Sequence, residues 1–298
     1  MGFEVLNGGI FTTVQDLGRF GSMHLGITQS GAMDELAYRW SQKLLGDQNG
    51  NALEIMAGLK LKATSSTQIA LCGADLDFRL NGISRPIWQT HRIGAGDILS
   101  FERRISGQRA YLAVKGGFDV AKEYGSYSTT LREGIGSKLK KGDFLPFDSC
   151  TGTHTIFRVK QAYRPDYEKS LTLRILLSYQ EEHFSQEEKE KFFNSSYEVT
   201  LQSDRMGYKL KGPPITSTQD GIISEAIAFG SVQIPKDGHP IVLLKERQTI
   251  GGYPKIGTVL PIDCFRLAQA AIGSSVKFEA IGVAEAQENI KVFYQSSQ

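Results

Sequence analysis

Apolar and polar residues alternate with a period of two over most of this chain. Residues 68–71 (QIAL), 76–80 (LDFRL), 110–114 (AYLAV) and 276–280 (VKFEA) are short runs bounded by Gly, Asn or Asp. That period puts successive side chains on opposite faces of a strand. Asn81 and Gly82 both tolerate positive φ and predict a hairpin turn. Turns at 94–97 (GAGD) and 141–143 (KGD) feed strands at 98–101 and 144–147. Helical spacing is rare. Within 34–45, Leu36, Ala37, Trp40, Leu44 and Leu45 recur near helical intervals, with Asp34 as the N-cap. Ser185 and Glu188 have capping-box spacing and open a charged helix through Phe193, expected to present a solvated face. A mainly β chain with few helices favours barrels or sandwiches over a doubly wound sheet.

The apolar pattern also repeats. GGIFTTVQDLGRFG at 8–21 returns as GHPIVLLKERQTIG at 238–251, an offset of 230. Phe11 falls on Ile241, Val14 on Leu244, Asp16 on Glu246 and Gly21 on Gly251. With small slips, Leu25-Gly26 falls on Ile256-Gly257 and Met33-Asp34 on Ile262-Asp263. Helical segments follow, 34–45 before Gly46 and 263–272 before Gly273. Two copies are too few for a solenoid. They imply two similar lobes, each with a strand, a Gly-rich polar loop and a helix, and a cleft between lobes as a natural ligand site. The expected lobes are 1–160 and 171–298, joined by the polar, Pro165-containing stretch 160–170. Exchange of terminal segments between lobes is left open.

Length and composition narrow the class. With 298 residues there is room for two cores, and 40% hydrophobic with 22% charged residues is ordinary for a globular protein. A net charge of +2 argues against broad binding to nucleic acid or anionic membrane. The three cysteines, Cys72, Cys150 and Cys264, and the five scattered histidines have no metal-ligand spacing, so no structural zinc is expected. No apolar run reaches the ~18 residues of a membrane span, and residues 1–19 lack a signal-peptide core. The expected compartment is the cytoplasm.

Four constellations carry candidate chemistry. The first, 12–19 (TTVQDLGR), places Asp16, Gln15 and Arg19 beside glycines; it reads as an anion grip or as a structural Asp16–Arg19 pair. The second, 245–255 (KERQTIGGYPK), crowds Glu246, Arg247, Gln248, Tyr253 and Lys255 around Gly251-Gly252. It reads as a ligand loop, against a solvated turn with a packed tyrosine. The third, 202–208 (QSDRMGY), offers Arg205 as an anion ligand or a buried structural arginine. The fourth, 125–129 (GSYST), is a hydroxyl-rich turn read as structural. Cys264 beside Asp263 reads as packing before nucleophile. No Walker loop or GxSxG elbow is present.

These motifs resemble a known family. TTVQDLGR (12–19), SGAMD (30–34), LCGAD (71–75), YLAVKGGFDV (111–120), GSYST (125–129), QSDRMGYKLKGPP (202–214) and ERQTIGGYPKIGTV (246–259) occur in order across nearly the whole chain. They are similar to signatures of the biotin-dependent carboxyltransferase family, also called allophanate hydrolase subunit 2 or KipA-like, and within it to the C subunit of 5-oxoprolinase. The resemblance implies two cyclophilin-like β-barrel lobes related by duplication. It implies two partners, the KipI-like B subunit of 5-oxoprolinase and its LamB/YcsF-like A subunit. The assembled enzyme would open 5-oxoproline to glutamate with ATP. Two alternatives come with it: a carboxyltransferase component of a biotin-dependent urea carboxylase, and a non-enzymatic antagonist of a kinase inhibitor. The chain has no Ala-Met-Lys-Met biotin-carrier motif. It departs from the family at 245–250, where Lys-Glu-Arg-Gln-Thr-Ile stands for the frequent Ala-Asp-Arg-Gln-Thr-Thr.

A lactam resists hydrolysis near neutral pH, and phosphoryl activation of its oxygen needs cations and amides around phosphate. Arg19, Arg205, Arg247 and Lys255 are the expected anion ligands, with Gln248 and Tyr253 beside them. Asp16, Asp34, Glu246 or Asp263 would act as base or hold a metal. Whether ATP touches this chain stays open, as no nucleotide motif is present.

Overall fold

A computed structural model of the chain describes residues 1–47, 50–150 and 155–297; His154 lies outside them. Two compact units emerge. Unit 1 comprises Met1–Phe20 and Ser30–Glu168, and unit 2 comprises Gly21–Gln29 and Lys169–Gln298. The described residues are mainly β, with four α-helices: α1 (Glu35–Leu45), α2 (Gln186–Asn194), α3 (Pro261–Leu267) and α4 (Val283–Ser297). None of these helices is long and apolar enough to cross a membrane.

Unit 1 contains two antiparallel sheets. One runs, edge to edge, through Phe144–Pro146, Gly2–Gly8, Leu59–Ala63, Ile98–Phe101, Phe78–Leu80 and Ile83–Ser84. The other runs through Thr12–Gln15, Ala52–Ile55, Ser106–Val114, Thr67–Asp75 and Gln89–Ile93. Leu59, Leu61 and Ala63 point inward while Lys60 and Lys62 are exposed, the alternation that the sequence shows. They share one core with Ile69, Leu71, Leu112 and Val114 of the second sheet.

Strand Thr67–Asp75 is buried almost throughout rather than on alternate residues. Its other face, with Ala70 and Cys72, packs beneath Ala37, Tyr38, Leu44 and Leu45 of α1. Small residues there let the helix approach. A strand covered on both sides loses the polar half of its pattern. Asp34 caps α1 by accepting from Ala37 N at 3.1 Å, and Gly46, at φ 69°, ends it. Asn81 and Gly82 both have positive φ and turn the chain between paired strands, as the sequence predicts. The strand expected from residue 76 begins only at Phe78, because Asp77 is left-handed at φ 51°.

Unit 2 contains a closed barrel of seven strands. The order is Leu171–Leu177, Lys255–Val259, Ser231–Gln233, Ile241–Leu243, Gly207–Lys211, Tyr197–Ser203 and Ser275–Ala280. The last strand returns parallel to the first, and the other pairs are antiparallel. Ser185 caps α2 through Glu188 N. Although α2 is highly charged, Phe192 is fully buried and stacks on Phe278 at 4.3 Å, so one face is pinned to the barrel. Helix α3 stops at Leu267, short of the expected residue 272.

The repeat holds as strand, then polar loop, then helix, with α1 and α3 in matching places, and fails in the stretch between loop and helix. Ile256 and Gly257 lie in a barrel strand, whereas Met23–Leu25 form a 3-10 helix ended by Gly26 at φ 80°. The expected match of 25–26 to 256–257 is therefore one of sequence and not of backbone.

One titrating group in unit 1 gives a testable pH dependence. His91 is buried on strand Gln89–Ile93, edge-on to Phe78 at 5.2 Å and 2.9 Å from Pro86 O. Burial lowers its pKa, opposed by that hydrogen bond and aided by Arg85 and Arg158. A base with a depressed folded pKa takes its proton first in the unfolded chain. Stability is then complete above the unfolded value of about 6.5 and falls as pH drops below it. Thermal unfolding from pH 7.5 to 5.5 is expected to show a falling midpoint, with a shallower fall in His91→Phe. Identical slopes in the two proteins would show that His91 is not the group responsible.

Candidate functional site

In unit 1 the loop after strand Thr12–Gln15 is organised by Asp16. Its Oδ1 accepts from Gly18 N at 2.8 Å, Ser126 Oγ at 2.6 Å and Ser128 Oγ at 2.5 Å. Its Oδ2 accepts from Tyr127 N at 2.9 Å. Arg19, only 1% exposed, donates to Thr130 Oγ1 at 2.8 Å and to Ser128 O. The first and fourth sequence constellations are thus one structure, in which the acid and the guanidinium bind a hydroxyl-rich loop. Ser126, Tyr127, Ser128 and Thr129 also line a cavity of about 410 Å3. Its charged lining residues are Glu123 and Asp143, with no Lys or Arg, so it is ill suited to an anion.

Asp34 lies deeper in unit 1. Besides capping α1 it accepts from Tyr167 OH at 2.7 Å, and its N donates to Tyr111 OH at 2.8 Å. Tyr111 OH donates to Glu54 Oε2 at 2.7 Å, and Glu54 stands 3.5 Å from Arg109 Nε. Burial pushes the Tyr111 and Tyr167 hydroxyls well up, reinforced by Glu54 and Asp34 for the former and Asp34 for the latter. They stay protonated donors, and Asp34 serves as an anchor.

Unit 2 joins the second and third constellations. The turn at 203–206 and the loop at 244–248 zip together through Leu244 N to Met206 O and Glu246 N to Arg205 O, each at 2.8–2.9 Å. Arg205 Nε donates to Glu246 Oε1 at 2.5 Å, and both side chains are buried. Arg247 is 5% exposed. Its Nε donates to Ile227 O at 3.0 Å and its Nη1 to Leu244 O at 3.3 Å. The guanidinium lies 5.9 Å from the Phe229 ring centre, and buried Lys245 places Nζ 5.0 Å from that centre and 5.6 Å from that of Phe265. Burial lowers the Arg247 pKa to about 10. Burial also pushes the Cys264 thiol well up, with Asp263 adding to it and Lys245 and Arg247 opposing, so at neutral pH Cys264 is a protonated, packed thiol.

The remaining expected residues of unit 2 have other partners or are exposed. Lys255 Nζ donates to Glu225, which also accepts from Gln180 Nε2 at 2.7 Å and from Tyr179 OH. These donors, Lys255 first, hold the Glu225 carboxyl below its usual range. Gln248 and Tyr253 are exposed. Asp263, 1% exposed, grips Arg174 with Oδ1 to Nη2 at 2.7 Å and Oδ2 to Nε at 2.9 Å.

The expected residues therefore fall into distinct groups: Asp16 with Arg19, Asp34 with its tyrosines, Arg205 with Glu246 and Arg247, Lys255 with Glu225, and Asp263 with Arg174. All four carboxylates accept hydrogen bonds from protein donors. Sequence reasoning passed over Phe229, Phe265, Glu225 and Gln180, which reach these groups from distant segments and belong to no local motif. Lys245 was visible within its loop. Among the described residues no three His, Cys, Asp or Glu side chains gather as metal ligands.

A family model described as carboxyltransferase domain, subdomain A and B, matches residues 25–280. Among similar sequences, a Haemophilus influenzae protein named as the C subunit of 5-oxoprolinase is 36% identical over 281 residues, covering 92% of this chain and 89% of that protein. Its Escherichia coli namesake is 36% identical over 293 residues, covering 95% and 92%. A putative urea carboxylase of Emericella nidulans is 29% identical over 93% of this chain and 24% of its own length. Among solved structures, the Kluyveromyces lactis urea carboxylase superposes with a TM-score of 0.92 at 25% identity, covering 100% of this chain and 29% of that one.

Proposed function

This chain belongs to the carboxyltransferase-domain family, subdomains A and B, and we propose that it is the C subunit of an ATP-dependent 5-oxoprolinase. The observation that carries this reading is the extent of the match: 36% identity runs nearly end to end in two proteins of that name, on both sides of the alignment. Larger urea carboxylases contain this fold as a minor part of their length. In this reading the chain works in the cytoplasm with the A and B subunits, and the assembly opens the lactam of 5-oxoproline to glutamate. ATP supplies phosphoryl activation of the lactam oxygen.

This chain contributes binding and positioning. Arg247, with Lys245 beside it, fits an anionic group, since both cations are buried against aromatic rings. Asp16, Asp34, Glu246 and Asp263 enter as positioning groups, because their oxygens already accept from protein donors. Arg19 and Arg205 hold loops, and Lys255 orients Glu225.

Carboxyl transfer from carboxybiotin is the second reading, favoured by the 0.92 TM-score to a urea carboxylase. Reconstitution separates them. The purified chain is expected to give no glutamate from 5-oxoproline, and the three-component mixture with ATP is expected to give steady release. Turnover by the lone chain would overturn the reading of a partial site. Biotin-dependent carboxylation by the chain with a carboxylase partner, and no glutamate release, would favour the second reading. Partner binding without either activity would favour a regulatory antagonist.

A further inference from the structure

We propose that Arg247 is a receptor for a planar carboxylate, built into this chain without help from any partner. Most cations of unit 2 described above have an acid beside them: Arg205 has Glu246, Arg174 has Asp263 and Lys255 has Glu225. Arg247 has none among the described residues. It is held by two backbone carbonyls, Ile227 O and Leu244 O, and its Nη2 meets only the Met23 thioether, at 4.0 Å. Carbonyls fix the plane of the guanidinium but leave its charge uncompensated. A charge buried in this way is costly unless something pairs with it. A fold that places acids beside neighbouring cations and omits one here keeps a site for an outside anion.

The geometry selects the class of anion. Nε and one N–H of Nη1 are engaged, which leaves an N–H on Nη1 and those of Nη2, whose one neighbour is a weak sulfur acceptor. These form the end-on fork that takes two coplanar oxygens in parallel hydrogen bonds. Phe229, Met23 and the protonated Cys264 thiol give the surroundings apolar walls, and Lys245 Nζ, 5.0 Å from the same Phe229 ring centre, adds a second positive charge, so it is the planar fork and not the charge count that favours two coplanar oxygens. That 5-oxoproline or glutamate supplies this carboxylate rests on the oxoprolinase reading; the carboxylate site does not.

The test is calorimetric titration and thermal shift of the full chain with 5-oxoproline, glutamate, acetate and inorganic phosphate. Wild type is expected to bind at least one carboxylate saturably, more tightly than phosphate. Arg247→Lys keeps the charge and loses the fork, and is expected to bind at least tenfold more weakly. Arg247→Met, an apolar replacement of similar length, is expected to lose binding and to melt no lower than wild type without ligand. Absence of saturable carboxylate binding to wild type would overturn the proposal, as would equal binding by Arg247→Lys or tighter binding of phosphate. If Arg247→Met does not fold, a purely structural role is indicated unless Arg247→Lys folds and shows the tenfold loss. Acetate binding in a chain whose reconstituted complex lacks oxoprolinase activity would leave the site standing and remove only the reaction.

Discussion

Asp16→Ala is expected to destabilise the protein by about 3 kcal/mol and to loosen the loop at 126–130. The carboxylate accepts from two serine hydroxyls and two backbone amides, so its removal leaves four donors seeking partners. Hydrogen bonds to a charged group contribute about 1.5–3 kcal/mol each, and water reaching this partly buried loop offsets a share of the sum. Asp16→Asn separates charge from shape. The amide oxygen can still serve Ser126, Ser128 and Gly18, but its NH2 would face Tyr127 N, donor against donor. A smaller loss than for alanine is expected, read by urea denaturation. Full stability in Asp16→Ala would show that the cluster does not hold the loop. A stable Asp16→Asn that assembles with its partners but does not turn over would restore the acid to the chemistry.

Gly257→Ala is expected to disrupt the barrel of unit 2, at a cost of about 3 kcal/mol. An added Cβ would lie 2.4 Å from Leu176 O and 2.7 Å from the Ile175 side chain. Leu177 pairs with Gly257 across this seam, so the carbonyl cannot retreat without opening the strand pair. Gly26, its sequence counterpart, would meet nothing within 4 Å; its φ of 80° is the obstacle. Gly26→Ala is expected to cost about 1–2 kcal/mol, the usual penalty of a left-handed backbone for an L-residue. Thermal unfolding of both variants checks the ranking. Equal losses would mean that the seam relaxes around the methyl group.

That pair of glycines shows what the sequence could and could not convey. Strand alternation at 276–280, the cap at Asp34 and the turn at Asn81-Gly82 are local, so short stretches announced them. Motif order was also legible, because a family signature is carried along the chain. The groupings of side chains were not. Asp16 with Ser126, Arg205 with Glu246 and Lys255 with Glu225 join residues 30 to 110 positions apart, which only folding brings together. The donors that reach Asp16, Asp34, Glu246 and Asp263 were hidden for the same reason. Helix α4 went unread because its charged and apolar residues are mixed, and Gly26 matched Gly257 because either a tight seam or a left-handed turn favours glycine.

The division of the chain has a consequence for its synthesis. Residues 21–29 belong to unit 2, whose remainder begins only at Lys169. At about 5–20 residues per second, that segment is synthesised some 7–28 s before residue 169, and Arg247, the partner of Met23, comes later still. Unit 2 therefore cannot be complete until a segment made early meets chain made late. A gene split at residue 168 would not separate the two units cleanly, since the first product would carry away nine residues of the second.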